Sequence, residues 1–273
     1  MLGGVTIHED YSHEPFPIPH SLFPSSPDLP SLIPNNEYRV PNNDSPVYLT
    51  CQVYYNRRMR FTTIFFDLDD TLYPASCGLW PAIKERMNSY MGERMGIPSN
   101  QIPRLREKYF REYGTTLRGL QAYHKVDVQD YLAYVHDLPL KEYLHPDPVQ
   151  QKVLASLPTR NLIFTNADMP HARRVLRQLQ IEEYFADIVD VNRMDPYCKP
   201  SPEAFKIALN IACESDPSKC MMIDDLRHTT RAAKDFGLYA ILYGYPRGAS
   251  AADLDADARF DDWPQLSALL NGS

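Results

Sequence analysis

The run Phe66-Asp67-Leu68-Asp69-Asp70-Thr71-Leu72 constrains this chain more than any other segment. It closes a short apolar stretch, Thr62 to Phe66, that reads as a buried strand. Asp67 and Asp69 leave the end of that strand two positions apart. In extended chain, residues i and i+2 share a face. Both acids can therefore address one ligand at the carboxyl end of a parallel sheet, where open α/β folds bind their substrates. Two like charges that close are costly unless a cation or a proton relieves them. A divalent metal suits one and a transferable proton suits the other. That is the chemistry of metal-assisted phosphoryl transfer, in which one Asp attacks and the other handles the proton.

A D-x-D after a strand is weak evidence alone, because acidic turns are common on surfaces. Order along the chain strengthens it. Leu162-Ile163-Phe164 runs into Thr165-Asn166, Lys199-Pro200 precedes a helical pattern, and Met221-Met222-Ile223 runs into Asp224-Asp225. Strands are expected over Arg60–Phe66, Asn161–Thr165, Asp187–Val191, Cys220–Ile223 and Tyr239–Tyr243. Helices are expected over Gln150–Leu157, His171–Leu179 (Arg173, Arg174 and Arg177 outward), Pro202–Cys213, His228–Phe236 and Trp263–Leu270. Such alternation implies right-handed crossovers and a parallel sheet. After Leu72 the pattern changes. Leu79, Ile83, Met87, Tyr90 and Met91 recur at helical spacing, as do Leu105, Tyr109 and Tyr113, and Asp127–Val135 reads as a further helix. The expected fold is α/β: a Rossmann-like parallel sheet core (59–76 and 145–273) with an inserted all-helical domain (77–144). Residues 1–58 hold nine of the 24 prolines and no sustained period. They are expected to form a disordered or extended N-terminal tail.

The four strand-end segments, in that order, resemble the haloacid dehalogenase superfamily of phosphatases, over about residues 61 to 245. FFDLDDTLYPASCGL (65–79), YGTTLRGL (113–120), LPTRNLIFTNADMPHARRVL (157–176) and MMIDDLRHTTRAAKDFG (221–237) are similar to the pyrimidine 5′-nucleotidase subfamily of fungi and plants. The resemblance implies that the insertion is a helical cap closing over the catalytic face. It implies Asp67 as nucleophile, Asp69 as general acid and then base with a raised pKa, and Lys199 as the positive charge facing the phosphoryl group. Thr165 and Asn166 would bind phosphate oxygens. Mg²⁺ would be held by Asp67, the backbone carbonyl of Asp69, and the Asp224-Asp225 pair, with Asp225 in the principal position. Thr71 either orients the Asp67 loop or caps a helix. Leu226 and Thr229 depart from the usual pattern, where Ser and Asn or Asp stand, and put support of the metal in question. His228 reads as a surface or helix-capping residue.

Specificity is expected in the cap and the loop leading to it, at Tyr73, Pro74 and the YGTTLRGL segment. Tyr113 could stack on a base while Thr115 or Arg118 bonds its edge; alternatively, Tyr113 and Leu117 merely pack the cap. The subfamily resemblance favours UMP and CMP, with nicotinamide mononucleotide as an extension. A sugar phosphate, pyridoxal phosphate or a lysophospholipid is the alternative, and a non-catalytic scaffold the rival from another class. Dehalogenation is disfavoured, since it needs neither Asp69 nor a Mg²⁺ site.

Composition narrows the partners. The formal charge is −7 and no long basic run occurs, so polymeric nucleic acid is not expected as a ligand. No stretch of about 18 apolar residues exists, so no membrane span is expected. The N-terminus has acids and no apolar run, unlike a secretory signal. Five cysteines without C-x-x-C fit free thiols in a reducing compartment. The cytoplasm, with the nucleus also open, is the expected location. Cys213 is expected in the core. Pro24-Ser25-Ser26-Pro27 and Pro27-Asp28-Leu29-Pro30 fit P-x-x-P, either an SH3/WW-type docking peptide or part of an inert tail.

Overall fold

A computed structural model describes residues 60–244 and 255–271. The Pro-rich segment 1–58, with its P-x-x-P peptides, lies outside the described residues. Six strands form one parallel sheet: β1 (Thr63–Phe66), β2 (Arg160–Phe164), β3 (Asp187–Val189), β4 (Cys220–Asp224), β5 (Tyr239–Tyr243) and β6 (Ala258–Phe260), in the order β3-β2-β1-β4-β5-β6. β1 is central and buried at all four positions. Its TIFF sequence suits that place, since a parallel strand covered on both faces needs apolar side chains at successive positions. Phe66 stands opposite Ile163 of β2 and Ile223 of β4. The residues that follow each of these strands therefore emerge at one level. Chain order runs outward to β2 and β3 on one side of β1 and to β4, β5 and β6 on the other. The β1/β4 boundary is thus the switch point at which such sheets open a crevice.

After β1 come α1 (Leu79–Ser89), a wide π turn (Tyr90–Arg94), α2 (Ile102–Tyr113), α3 (Thr116–Tyr123) and α4 (Val128–Val135). Tyr90, Met91, Ile102, Tyr109, Leu117, Leu120, Tyr131, Leu132 and Val135 make a hydrophobic cluster of their own. A Cβ at Gly119 would sit 2.2 Å from the Tyr109 ring, so α2 and α3 cross at a spacing only glycine permits. The remaining helices cover the sheet: α5 (Pro148–Ser156), α6 (Met169–Leu179), α7 (Pro202–Ile211), α8 (Arg227–Asp235) and α9 (Trp263–Asn271). Ile64, Phe66, Ile163, Ile223 and Ile241 face α6 and its neighbours, while Phe65, Phe164, Met222 and Leu242 face Phe205 of α7 and Ala233 of α8. Asp147, Asp168 and Ser201 cap α5, α6 and α7, each accepting from a backbone N–H of the first turn, with Pro in that turn.

The expected strands and helices are present, with ends shifted by up to three residues. β6 was not expected: among its three residues only Phe260 is buried, too short a pattern to read. Cys213 is a correction. It is exposed, in a left-handed conformation (φ 55°) beyond the end of α7. The Cys213 N–H donates to Asn210 O and the Glu214 N–H to Leu209 O, a closure that stops the helix and turns the chain out. No helix among the described residues is long and apolar enough to cross a membrane.

Candidate active site

Asp67 follows β1, and its N–H donates to Ile223 O of β4, which ties the start of the loop to the switch point. Beside it, Lys199 Nζ donates to Asp67 Oδ1 and Asp224 Oδ2, both at 2.7 Å. The lysine is 3 % exposed. Burial alone would lower its pKa, but Asp224 and Asp67 outweigh that and keep it charged. Asp225 completes the group, with one carboxylate oxygen from each of Asp67, Asp224 and Asp225 lying within 4.8 Å of the others. Three carboxylates share one lysine. Burial, then Asp224 against the attraction of Lys199, pushes Asp67 up to about 7, and burial with Asp224, Asp67 and Asp70 raises Asp225 well above the usual range. Hard oxygens with uncompensated negative charge fit a divalent cation. Asp224 spends one oxygen on Lys199 and the other on the Leu226 N–H at 2.9 Å, whereas among the described residues Asp225 accepts only a long 3.5 Å bond from Thr71. Asp225 is therefore the better placed to bind a metal directly. The Leu226 bond is made by backbone, so the absence of Ser there leaves Asp224 oriented. Thr71 orients rather than caps, its hydroxyl donating to Asp67 Oδ2 at 3.3 Å.

The Asp69 side chain has partners of its own. Its Oδ1 accepts from Tyr73 Oη at 2.6 Å and contacts His171 Nε2 at 3.1 Å. Burial pushes the Asp69 pKa up, but His171 and Tyr73 outweigh it and hold the group below the usual carboxylate value. This corrects the expected raised pKa: the pull of His171 and Tyr73 exceeds the cost of burial. Tyr73, expected at a specificity position, is buried and donates to Asp69. Pro74 is exposed.

His171 belongs to an arrangement that sequence reasoning missed. Its ring stacks on His136 at 4.1 Å between centroids, and His136 Nδ1 lies 2.8 Å from Asp168 Oδ1. Two buried imidazoles thus stand face to face, each beside its own carboxylate. Burial and the proximity of His171 lower the His136 pKa, against the pull of Asp168. Asp168 and His171 lie three apart at the start of α6, a spacing visible in the NADMPHARRVL stretch; nothing in the sequence ties them to His136.

Thr165 is buried at the end of β2, and its hydroxyl accepts from the Ala167 N–H at 3.0 Å. Asn166 clamps the backbone of Lys199, its Nδ2 donating to Lys199 O at 3.0 Å and its Oδ1 accepting from Lys199 N at 2.9 Å. Asn166 thus uses its side chain to hold the lysine. The candidates in the insertion are engaged within the protein. Tyr113 packs edge-on against Tyr123 at 5.8 Å, Thr115 caps α3 by accepting from Arg118 N, and Arg118 is buried in contacts to the loop after β3. His228 is half-buried, its ring edge-on to Phe110 of α2 at 5.4 Å, rather than on the surface.

An acidic trio and a bridging lysine thus stand at the switch point of a parallel α/β sheet. The chain matches the haloacid dehalogenase-like hydrolase family over residues 61–237, and it belongs to that family. Phosphate metabolism protein 8 of Saccharomyces cerevisiae is 29% identical over 193 residues, which cover 66% of this chain and 60% of the yeast protein. The chain thus spans 60% of that relative's length. Glyceraldehyde 3-phosphate phosphatase of Pyrococcus furiosus is 26% identical over 235 residues, 78% of this chain and 96% of that protein. Among solved structures, a conserved haloacid dehalogenase-like protein from Agrobacterium tumefaciens aligns with a TM-score of 0.54 at 19% identity, covering 78% of this chain and 98% of that one. The magnesium-bound hydrolase YfnB from Bacillus subtilis aligns at 0.51 and 16% identity, covering 78% and 99%. Both likenesses concern the fold.

Proposed function

We propose that this protein is a Mg²⁺-dependent phosphatase that hydrolyses small phosphate monoesters through an aspartyl-phosphate on Asp67, with pyrimidine nucleoside 5′-monophosphates (UMP and CMP) as its leading substrates. The observation that carries the chemistry is the Lys199 bridge from Asp67 to Asp224, with Asp225 alongside and Asp69 held apart by Tyr73 and His171.

Asp67, one carboxylate oxygen tethered by Lys199, attacks phosphorus and splits one slow displacement into two. Asp67, Asp225 and Asp224 are the side chains to hold Mg²⁺, with the backbone carbonyl of Asp69; the ion supplies positive charge that offsets repulsion between carboxylate and phosphate dianion. Lys199 provides fixed charge on the same oxygens. Asp69 carries the proton to the departing alkoxide and then takes one from the attacking water. In the substrate-free site it is held ionised. A phosphate dianion entering beside it raises its proton affinity and brings it to the protonated state the first step requires.

The pyrimidine nucleotide reading rests on the four longer sequence segments. Two relatives whose names concern phosphate metabolism and a phosphatase support the reaction class. A second reading, a phosphorylated sugar or triose, is favoured by one observation: Tyr113, Thr115 and Arg118, the residues expected to read a base, are engaged within the protein. Phosphate release from UMP, CMP, nicotinamide mononucleotide, AMP, GMP, glucose 6-phosphate and glyceraldehyde 3-phosphate, with Mg²⁺ and with EDTA, separates the two. Preference for UMP and CMP supports the first, and preference for a sugar or triose phosphate replaces it with the second. A folded protein that releases nothing from any of them contradicts both.

A further inference from the structure

We propose that the α2–α3 corner of the insertion is a positioning element for Lys199, anchored by Arg118. The proposal rests on the reading of Lys199 as the lysine of the reaction.

Arg118 sits on α3 and is 7 % exposed. Its Nη2 donates to Val191 O at 2.8 Å and Tyr197 O at 2.7 Å, and its Nη1 donates to Gln121 at 2.7 Å and to Asp195. Three of these four acceptors belong to the segment that leads from β3 to Lys199. A guanidinium is a rigid planar fork whose five donors can span two carbonyls and a carboxylate with less loss of freedom than the point charge of an ammonium. The same corner makes a second contact. Gly114, between α2 and α3, has φ +78°, and a Cβ there would lie 2.9 Å from Cys198 Sγ and 3.0 Å from Lys199 O. Cys198 Sγ donates to Tyr113 O at 3.2 Å. Val191 packs into the hydrophobic cluster of the insertion rather than that of the sheet.

The backbone of Lys199 is thus gripped from two sides. Asn166 of the core takes its N–H and C=O, and the insertion presses Gly114 against its carbonyl while Arg118 holds the chain two residues earlier. The core holds the Val191 N–H through Ala167 O, but the carbonyls of Val191 and Tyr197 both go to Arg118. Loss of that hold lets the segment shift, and a displacement of about 1 Å at a catalytic group costs about 100-fold in rate.

The experiment uses the full chain with Arg118→Ala, Arg118→Lys and Gly114→Ala. The first readout is acylation of lysines by a succinimidyl ester, mapped by mass spectrometry, with exposed Lys84 and Lys152 as internal references. The second is kcat and KM for p-nitrophenyl phosphate with Mg²⁺. In the native protein Lys199 stays unlabelled. In Arg118→Ala and Gly114→Ala it becomes labelled while Lys84 and Lys152 are unchanged, kcat falls about 100-fold with KM little altered, and Arg118→Lys lies between. Unchanged protection of Lys199 in folded variants overturns the proposal, whatever happens to kcat. Should Arg118→Ala not fold, Gly114→Ala and Arg118→Lys decide by the same criterion. Should the native protein hydrolyse nothing, the phosphatase reading fails while the labelling still decides the positioning.

Discussion

Replacing Asp225 by Asn is expected to stabilise the metal-free protein while abolishing turnover. The carboxylate oxygens of Asp67, Asp224 and Asp225 lie within 4.8 Å of one another. At that separation each ionised like pair costs roughly 3.5 kcal/mol with an effective dielectric constant of about 20. Asp225 faces two such partners. The protein limits the cost by taking up protons, as the elevated Asp67 and Asp225 pKa values record, and Lys199 offsets part of it. The relief left for Asp225→Asn is therefore below one full pair, roughly 1–3 kcal/mol near neutral pH, or a rise in Tm of roughly 3–10 °C for a chain of this size. Thermal unfolding in EDTA and then with excess Mg²⁺ measures both halves of the argument. The native protein should gain stability from Mg²⁺ and the variant should gain little, while its metal-free Tm exceeds that of the native protein. A variant that is less stable in EDTA, or that gains as much from Mg²⁺ as the native protein, refutes the claim that these acids form a strained cation site with Asp225 as its direct ligand.

Other consequences follow from the same geometry. Asp67 has a folded-state pKa of about 7 against an ordinary 3.8, so between those values the folded protein binds more protons than the unfolded one, and metal-free stability should fall as pH rises through that window. The depressed Asp69 acts in the opposite sense, but its contribution is lost only as pH drops below the ordinary carboxylate value. The Tm gain from Mg²⁺ should accordingly be larger near about pH 7.5 than near about pH 5.5, and a gain independent of pH counts against the assignment. Tyr73→Phe and His171→Asn each remove one donor from Asp69 Oδ1; each should lower kcat by roughly ten- to a hundredfold for an alkyl phosphate and less for an aryl phosphate whose leaving group needs little protonation. Equal losses on both substrates would place these residues outside the proton step. Iodoacetamide near about pH 8 should alkylate exposed Cys213 and spare Cys198 and Cys220, whose thiols burial pushes up to about 11 and about 12, so peptide mapping that finds Cys198 modified first would contradict the buried position given to it.

The sheet was legible because its central strands are short, apolar on both faces and followed by polar turns, and because Asp67, Thr165, Lys199 and Asp224 stand at strand ends or just before a helix. Contacts across long separations were not. Asp69 and His171 lie 102 positions apart, and no local pattern says that a histidine on the buried face of α6 meets the acid after β1. The expected pKa of Asp69 failed for that reason. Tyr113, Thr115 and Arg118 illustrate a second limit. A polar side chain in an insertion reads the same whether it faces a ligand, caps a helix or clamps a loop, and here each serves the protein. Cys213 illustrates a third, since its helical spacing continues in sequence past the point where backbone closure ends α7.

The claim that Asp67 becomes covalently phosphorylated is tested most directly by rapid acid quench of the enzyme turning over UMP, followed by peptide mass spectrometry. The account predicts a peptide containing Asp67 that carries the mass of one phosphoryl group, present with Mg²⁺, absent with EDTA and absent from Asp67→Asn. Turnover of UMP with no such adduct at any quench time, or turnover that survives Asp67→Asn, contradicts it.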